Sequence, residues 1–95
     1  MDLRLRQVAL VARRLEPVET ALRRELGLGE PFRDPGVAEF GLENAVMSVG
    51  DTFLEVVAPV RPDTTAGRYL DRRGGDGGYM AIFQVGDLAR VRRRL

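Results

Sequence analysis

The sequence predicts an α+β fold: one βαβββ module with a curved mixed sheet, followed by the opening βα of a second module. Three observations lead there. Apolar residues alternate with period two over several short stretches and recur at helical spacing over others. Glycines and prolines fall where turns between those stretches are needed. The segment Gln7 to Leu15 also lines up with Met80 to Leu88. Each is an apolar strand, a short polar turn and a leucine opening a helix, so the second unit begins as the first does.

Leu3 to Ala12 reads as a strand, with Leu3, Leu5, Gln7, Ala9 and Val11 sharing one face. Glu16-Pro17 suits a helix start, because proline in the first turn loses no hydrogen bond. Leu15, Val18, Leu22 and Leu26 then recur on one helical face, and Gly27 and Gly29 supply the stop. Glu30 to Gly36 holds two prolines and reads as a loop or irregular edge strand, and Val37 to Leu42 as a short strand. Asn44 to Val49 and Thr52 to Ala58 form a hairpin, with Gly50-Asp51 as a two-residue turn of the II′ kind. Asp63 is a candidate cap for a helix over Thr64 to Arg73. Gly74 to Gly78 reads as a connector, Tyr79 to Val85 as a strand, and Asp87 as the cap of a last helix from Leu88 to Leu95.

Composition narrows the chemistry. The chain has no cysteine and no histidine, which removes thiolate metal sites, disulfides and histidine-based nucleophile activation. A cytoplasmic setting follows as the expectation. All 15 basic residues are arginine, set against 14 acids for a net charge of +1. They are scattered, so no basic face for nucleic acid is expected. No apolar run approaches the roughly 20 residues that span a bilayer, so no membrane association is expected either. The Gly74 to Gly78 run matches neither the phosphate-loop pattern nor the dinucleotide fingerprint.

The order of elements and certain residues resemble the vicinal oxygen chelate superfamily, the group of glyoxalases, bleomycin-resistance proteins and extradiol dioxygenases. Gln7 to Val11 looks like its opening strand. Leu15 to Leu28, ending in Leu26-Gly27-Leu28, looks like its first helix. Gly50 to Val56, with Phe53-Leu54-Glu55, looks like its fourth strand, and Met80 to Leu88 like the start of module two. The resemblance implies a first module over 1–60, a linker with a short helix over 61–78 and an incomplete second module over 79–95. By position it implies that Gln7 and Glu55 are metal ligands, and that Glu55 doubles as the catalytic acid–base.

Oxygen donors of this kind suit Mg²⁺ or Mn²⁺, or Ni²⁺ in an octahedral site, with Zn²⁺ a further candidate; a cleft without any metal is the alternative. Met80 departs from the pattern, since it stands where the second module's first ligand belongs and its sulfur suits no hard ion. Arg33, Phe53, Val57, Tyr79 and Met80 are weaker candidates for contact with a substrate. Glu55 has a plainer explanation too, pairing with an arginine such as Arg6 or Arg33. Three functions stay open: a metal-dependent lyase or isomerase of a small carbonyl compound, or a dioxygenase-like enzyme; a metal-free, drug-sequestering binding protein; and a half-length assembly module. Each implies a homodimer that completes or covers the second module.

Overall fold

The computed structural model describes residues 3–94. Its strands are β1 (Leu3–Val11), β2 (Leu42–Val49), β3 (Thr52–Pro59) and β4 (Gly77–Val85). Its α-helices are α1 (Leu15–Leu26), α2 (Thr65–Arg73) and α3 (Leu88–Arg94). The strands form one mixed sheet in the order β2-β3-β1-β4. β1 runs parallel to β3, while the β2–β3 and β1–β4 pairs are antiparallel. The expected α+β class and mixed sheet are therefore present.

Local chemistry explains most element ends. Gly27 closes α1 in the left-handed region at φ 66°, and both it and Leu28 donate their backbone N–H to the Arg23 carbonyl. Val49 and Thr52 pair across Gly50-Asp51. Gly50 has φ 60° and Asp51 does not share a positive φ, as a II′ turn requires. The Asp87 carboxylate accepts from Arg90 N at 2.9 Å and caps α3.

Two expected elements differ. Val37 to Leu42 is not a strand: Pro35–Phe40 forms a 3₁₀ helix. Asp34 turns back to accept from Gly36 N at 2.9 Å, proline fixes the first turn, and Gly41 ends it at φ 70°. The extra strand shrinks to a bridge between Phe32 and Val46, inside the stretch read as loop or irregular edge. Thr64, rather than Asp63, caps α2, its hydroxyl accepting from Gly67 N at 2.9 Å. Asp63 instead takes the left-handed conformation, φ 62°.

Each face of the sheet carries one apolar cluster. α1 covers the first with Leu15, Val18 and Leu22 over Ala45, Met47, Val56 and Ala58. α2 covers one end of the other with Ala66 and Leu70 over Val11 and Val57. Leu26, expected in the helix's apolar stripe, is exposed, and Glu19 lies buried on the same helix. A bulge at Arg6 shifts register between Leu5 and Gln7, so Leu5 opposes Phe83 while Gln7 opposes Ile82. The alternation expected along β1 breaks there, and Leu5 leaves the face that carries Gln7. Among the described residues no helix is long and apolar enough to cross a membrane.

Candidate functional site

Beyond the edge of α2, the second face of the sheet lies open. Register places two rows of side chains on it. Val46, Glu55, Ala9 and Met80 lie across β2, β3, β1 and β4 in one row. Ser48, Phe53, Gln7 and Ile82 form the next. Gln7 and Glu55, singled out in the sequence, are thus neighbours on one face, and they touch: Gln7 Nε2 donates to Glu55 Oε1.

Glu55 is only 9% exposed. A buried carboxylate requires partners, and arginine is the expected one. Among the described residues, however, no arginine pairs with it. Arg6 lies over the Phe53 ring, 5.9 Å from its centroid, and Arg33 forms a fork onto Glu19 with contacts of 2.6 and 2.8 Å. The other oxygen of Glu55 is taken by an amide, Asn44 Nδ2 donating to Oε2 at 2.6 Å. Two amide donors therefore hold the Glu55 carboxylate, with no ion pair to it among the described residues.

Asn44 joins Gln7 and Glu55 in the candidate site; the sequence reading does not name it, although its signal is there. An asparagine in mid-strand is unusual. Counting back from the Gly50-Asp51 turn places Asn44 opposite Val57 and diagonal to Glu55. Its own acceptor, Oδ1, takes Asp34 N at 3.0 Å.

The weaker candidates separate. Phe53, 36% exposed, lines the open face beside Gln7. Met80, 48% exposed, and Tyr79 line a cavity of about 520 Å³ at the α2 end, together with Phe40, Arg61 and Thr64. Tyr79 bulges out of the β1–β4 register and packs against Tyr69, centroids 5.2 Å apart. Val57 shares the face but not the opening, because α2 covers it. Arg33 is bound to Glu19 and to the Asn44 carbonyl, on the far side of the β2 edge. A larger open groove of about 820 Å³ lies there, between α1 and the 3₁₀ turn. There both oxygens of Glu19 accept from the Arg33 fork.

A hard divalent cation fits half a site here. Gln7 and Glu55 offer oxygen donors of the right class. The Gln7 amide has no second partner among the described residues, so turning it over would present its oxygen. Across the row, β4 offers only Met80 and Ile82. No group of three or more His, Cys, Asp or Glu side chains placed to hold a metal occurs among the described residues. Two donors are too few for such an ion, so the others would come from water, substrate or another chain.

No family model and no curated protein matches this chain. Solved structures do. A hypothetical protein of Bacillus halodurans, BH1468, superposes with a TM-score of 0.85 at 15% identity, covering 99% of this chain and 67% of its own. Methylmalonyl-CoA epimerase from Mycobacterium tuberculosis gives 0.78 at 22%, covering 97% of this chain and 61% of its own. A methylmalonyl-CoA epimerase in complex with methylmalonyl-CoA and NH4+ gives 0.81 at 19%, covering 99% and 71%. The chain thus spans about two thirds of the length of these structures and shares their fold.

Proposed function

We propose that this chain is a glyoxalase-like protein of isomerase type, moving a proton next to the carbonyl of a small substrate, with Glu55 as the proton carrier. The observation that carries this reading is the buried Glu55 carboxylate, held by Gln7 and Asn44 with no arginine on it among the described residues. A cation bound by Gln7 and Glu55 would supply Lewis-acid polarisation of the carbonyl oxygen. The chain's own residues do the rest. Glu55 Oε1 accepts the proton from the carbon beside the carbonyl, and the C–H electron pair passes into the carbonyl group. The same oxygen returns the proton to the adjacent, former carbonyl carbon of an α-hydroxycarbonyl substrate, whose hydroxyl proton passes to the former carbonyl oxygen, while Asn44 keeps hold of Oε2. Phe53, Met80 and Ile82 give the site apolar walls that limit water.

The epimerase neighbours support this class of substrate. Methylmalonyl-CoA, bound in one of them, is a thioester whose proton-bearing carbon lies between two carbonyl groups. The module division at 1–60, 61–78 and 79–95 belongs to the same reading. So does a homodimer, in which a second copy covers the open edge of β4 and brings further donors to the cleft. A cytoplasmic setting accords with a chain free of cysteine.

One observation favours a second reading, a metal-free binding cleft. Both Glu55 oxygens already have donors, and β4 contributes the apolar Met80 and Ile82 to the same face of the sheet. Metal content separates the two readings. After incubation with Mn²⁺ or Ni²⁺, the protein is expected to retain stoichiometric metal, and Glu55→Ala to lose it. The metal-loaded protein is expected to exchange the α-proton of carboxyacyl thioesters, α-keto acids or hemithioacetals for deuterium. Metal-free protein that binds such compounds without exchange selects the binding cleft.

A further inference from the structure

We infer that Asn44 is the positioning residue of the site: it fixes the Glu55 carboxylate by one oxygen, so that the other is presented with Gln7 to the open face of the sheet. As a statement about metal binding, this rests on the function proposed above. As a statement about geometry, it does not.

The two amides on Glu55 are not equivalent. A glutamate carboxylate turns easily about its last torsion, whose wells are broad and two-fold. A hydrogen bond from a donor that can itself turn over does not fix that torsion. Gln7 cannot decide it, because its amide has no second partner among the described residues and is free to turn over. Asn44 can. Its Oδ1 accepts the Asp34 backbone N–H at 3.0 Å, which leaves only Nδ2 to face Glu55, 2.6 Å from Oε2. A backbone donor cannot be inverted, so the orientation of the Asn44 amide is set by the chain and not by the carboxylate.

The backbone that sets it is anchored in turn. Asp34 begins the 3₁₀ turn, its side chain on Gly36 N. Arg33, one residue earlier, reaches the other way, forking onto Glu19 of α1 and bonding the Asn44 carbonyl at 3.0 Å. Arg33 and Asp34 therefore straddle the β2 edge, one tied to the helix on one face and the other to Asn44 on the opposite face. Asn44 is 3% exposed, which shields its bond to Glu55 from competing water. Gln7 is then the exchangeable donor of the pair and Asn44 the fixed one.

Two measurements test this. The first is Mn²⁺ affinity by calorimetry in the parent, Asn44→Leu and a control, Ser48→Ala, whose exposed hydroxyl lies on the same strand face. Asn44→Leu is expected to weaken Mn²⁺ binding about 10–100-fold, the effect of losing an outer-shell partner of a ligand, with Ser48→Ala unchanged. Parent-like affinity in a folded Asn44→Leu would overturn the inference. The second needs no Asn44 variant and no metal. In the parent, the Asn44 side-chain NH₂ is expected to give downfield, slowly exchanging NMR signals that move on Glu55→Gln. Signals in fast exchange and indifferent to Glu55→Gln would overturn it. Should the parent bind no Mn²⁺ while these signals behave as expected, the metal reading fails and the positioning role stands.

Discussion

Met47→Ala is expected to destabilise the protein by about 3 kcal/mol, against a total for a domain of this size of about 5–15 kcal/mol. Met47 is fully buried and lies where β2 meets α1, within the cluster of Ala45, Val56, Ala58 and Leu15. The alanines around it cannot expand into the space left behind, so the cavity would stay open, and cavity cost adds to lost transfer energy. Thermal unfolding should show the midpoint falling by roughly 15 °C. Met47→Leu, close in volume, should cost less than about 1.5 kcal/mol. A loss under about 1 kcal/mol for the alanine variant would mean that the α1 face is not the main core. The consequence reaches the site, since Asn44 projects from the same strand to the opposite face and a loosened β2 no longer holds it against Glu55.

Much of this arrangement is written in short-range patterns. Period-two alternation located β1, the hairpin and β4, and Gly50-Asp51 fixed the hairpin register. Once that register and the parallel pairing of β1 with β3 are given, Gln7 and Glu55 must share a face. What escaped the reading depends on contacts distant in sequence or on one extra residue. The bulge at Arg6 sends Leu5 to the other side of the sheet, and strict alternation cannot anticipate it. Val37 to Leu42 has strand-like composition, yet the Asp34-Pro35-Gly36 turn before it closes first. Glu19 looks like an exposed helix residue until Arg33 arrives from the following loop to neutralise it. Val57 has the right periodicity for the cleft but lies under α2, whose docking no strand pattern encodes.

The double substitution Ile82→Lys and Phe83→Lys is expected to turn a dimer into a monomer without lowering the stability of the separate chain. β4 is the last strand of the sheet, with no neighbour on its outer side among the described residues. It is apolar on both faces: Met80 and Ile82 are 48% and 41% exposed on one, and Phe83 is 53% exposed on the other. Leu3, 55% exposed, adds to the Phe83 side. A strand that stays single-sided at a sheet edge normally carries charge or proline to deter pairing. This one carries neither between Tyr79 and Gln84, and has the composition of a strand in the middle of a sheet. The opposite edge is different, because Phe32 bonds Val46 in both directions at 2.8 Å and shields β2. A second copy along β4 would satisfy the open edge and bury both apolar faces.

Two lysines there would place four charges in a two-fold interface, weakening association by about 1000-fold if each costs about 1 kcal/mol per chain. Both positions are exposed in the single chain, so its own core would be untouched. Sedimentation of the parent at micromolar concentration should therefore show a dimer, and the double variant a monomer, with melting temperatures that converge on dilution. A parent that sediments as a monomer would remove the second copy as the cover of β4. The further ligands of a cation held by Gln7 and Glu55 would then have to come from water or substrate alone.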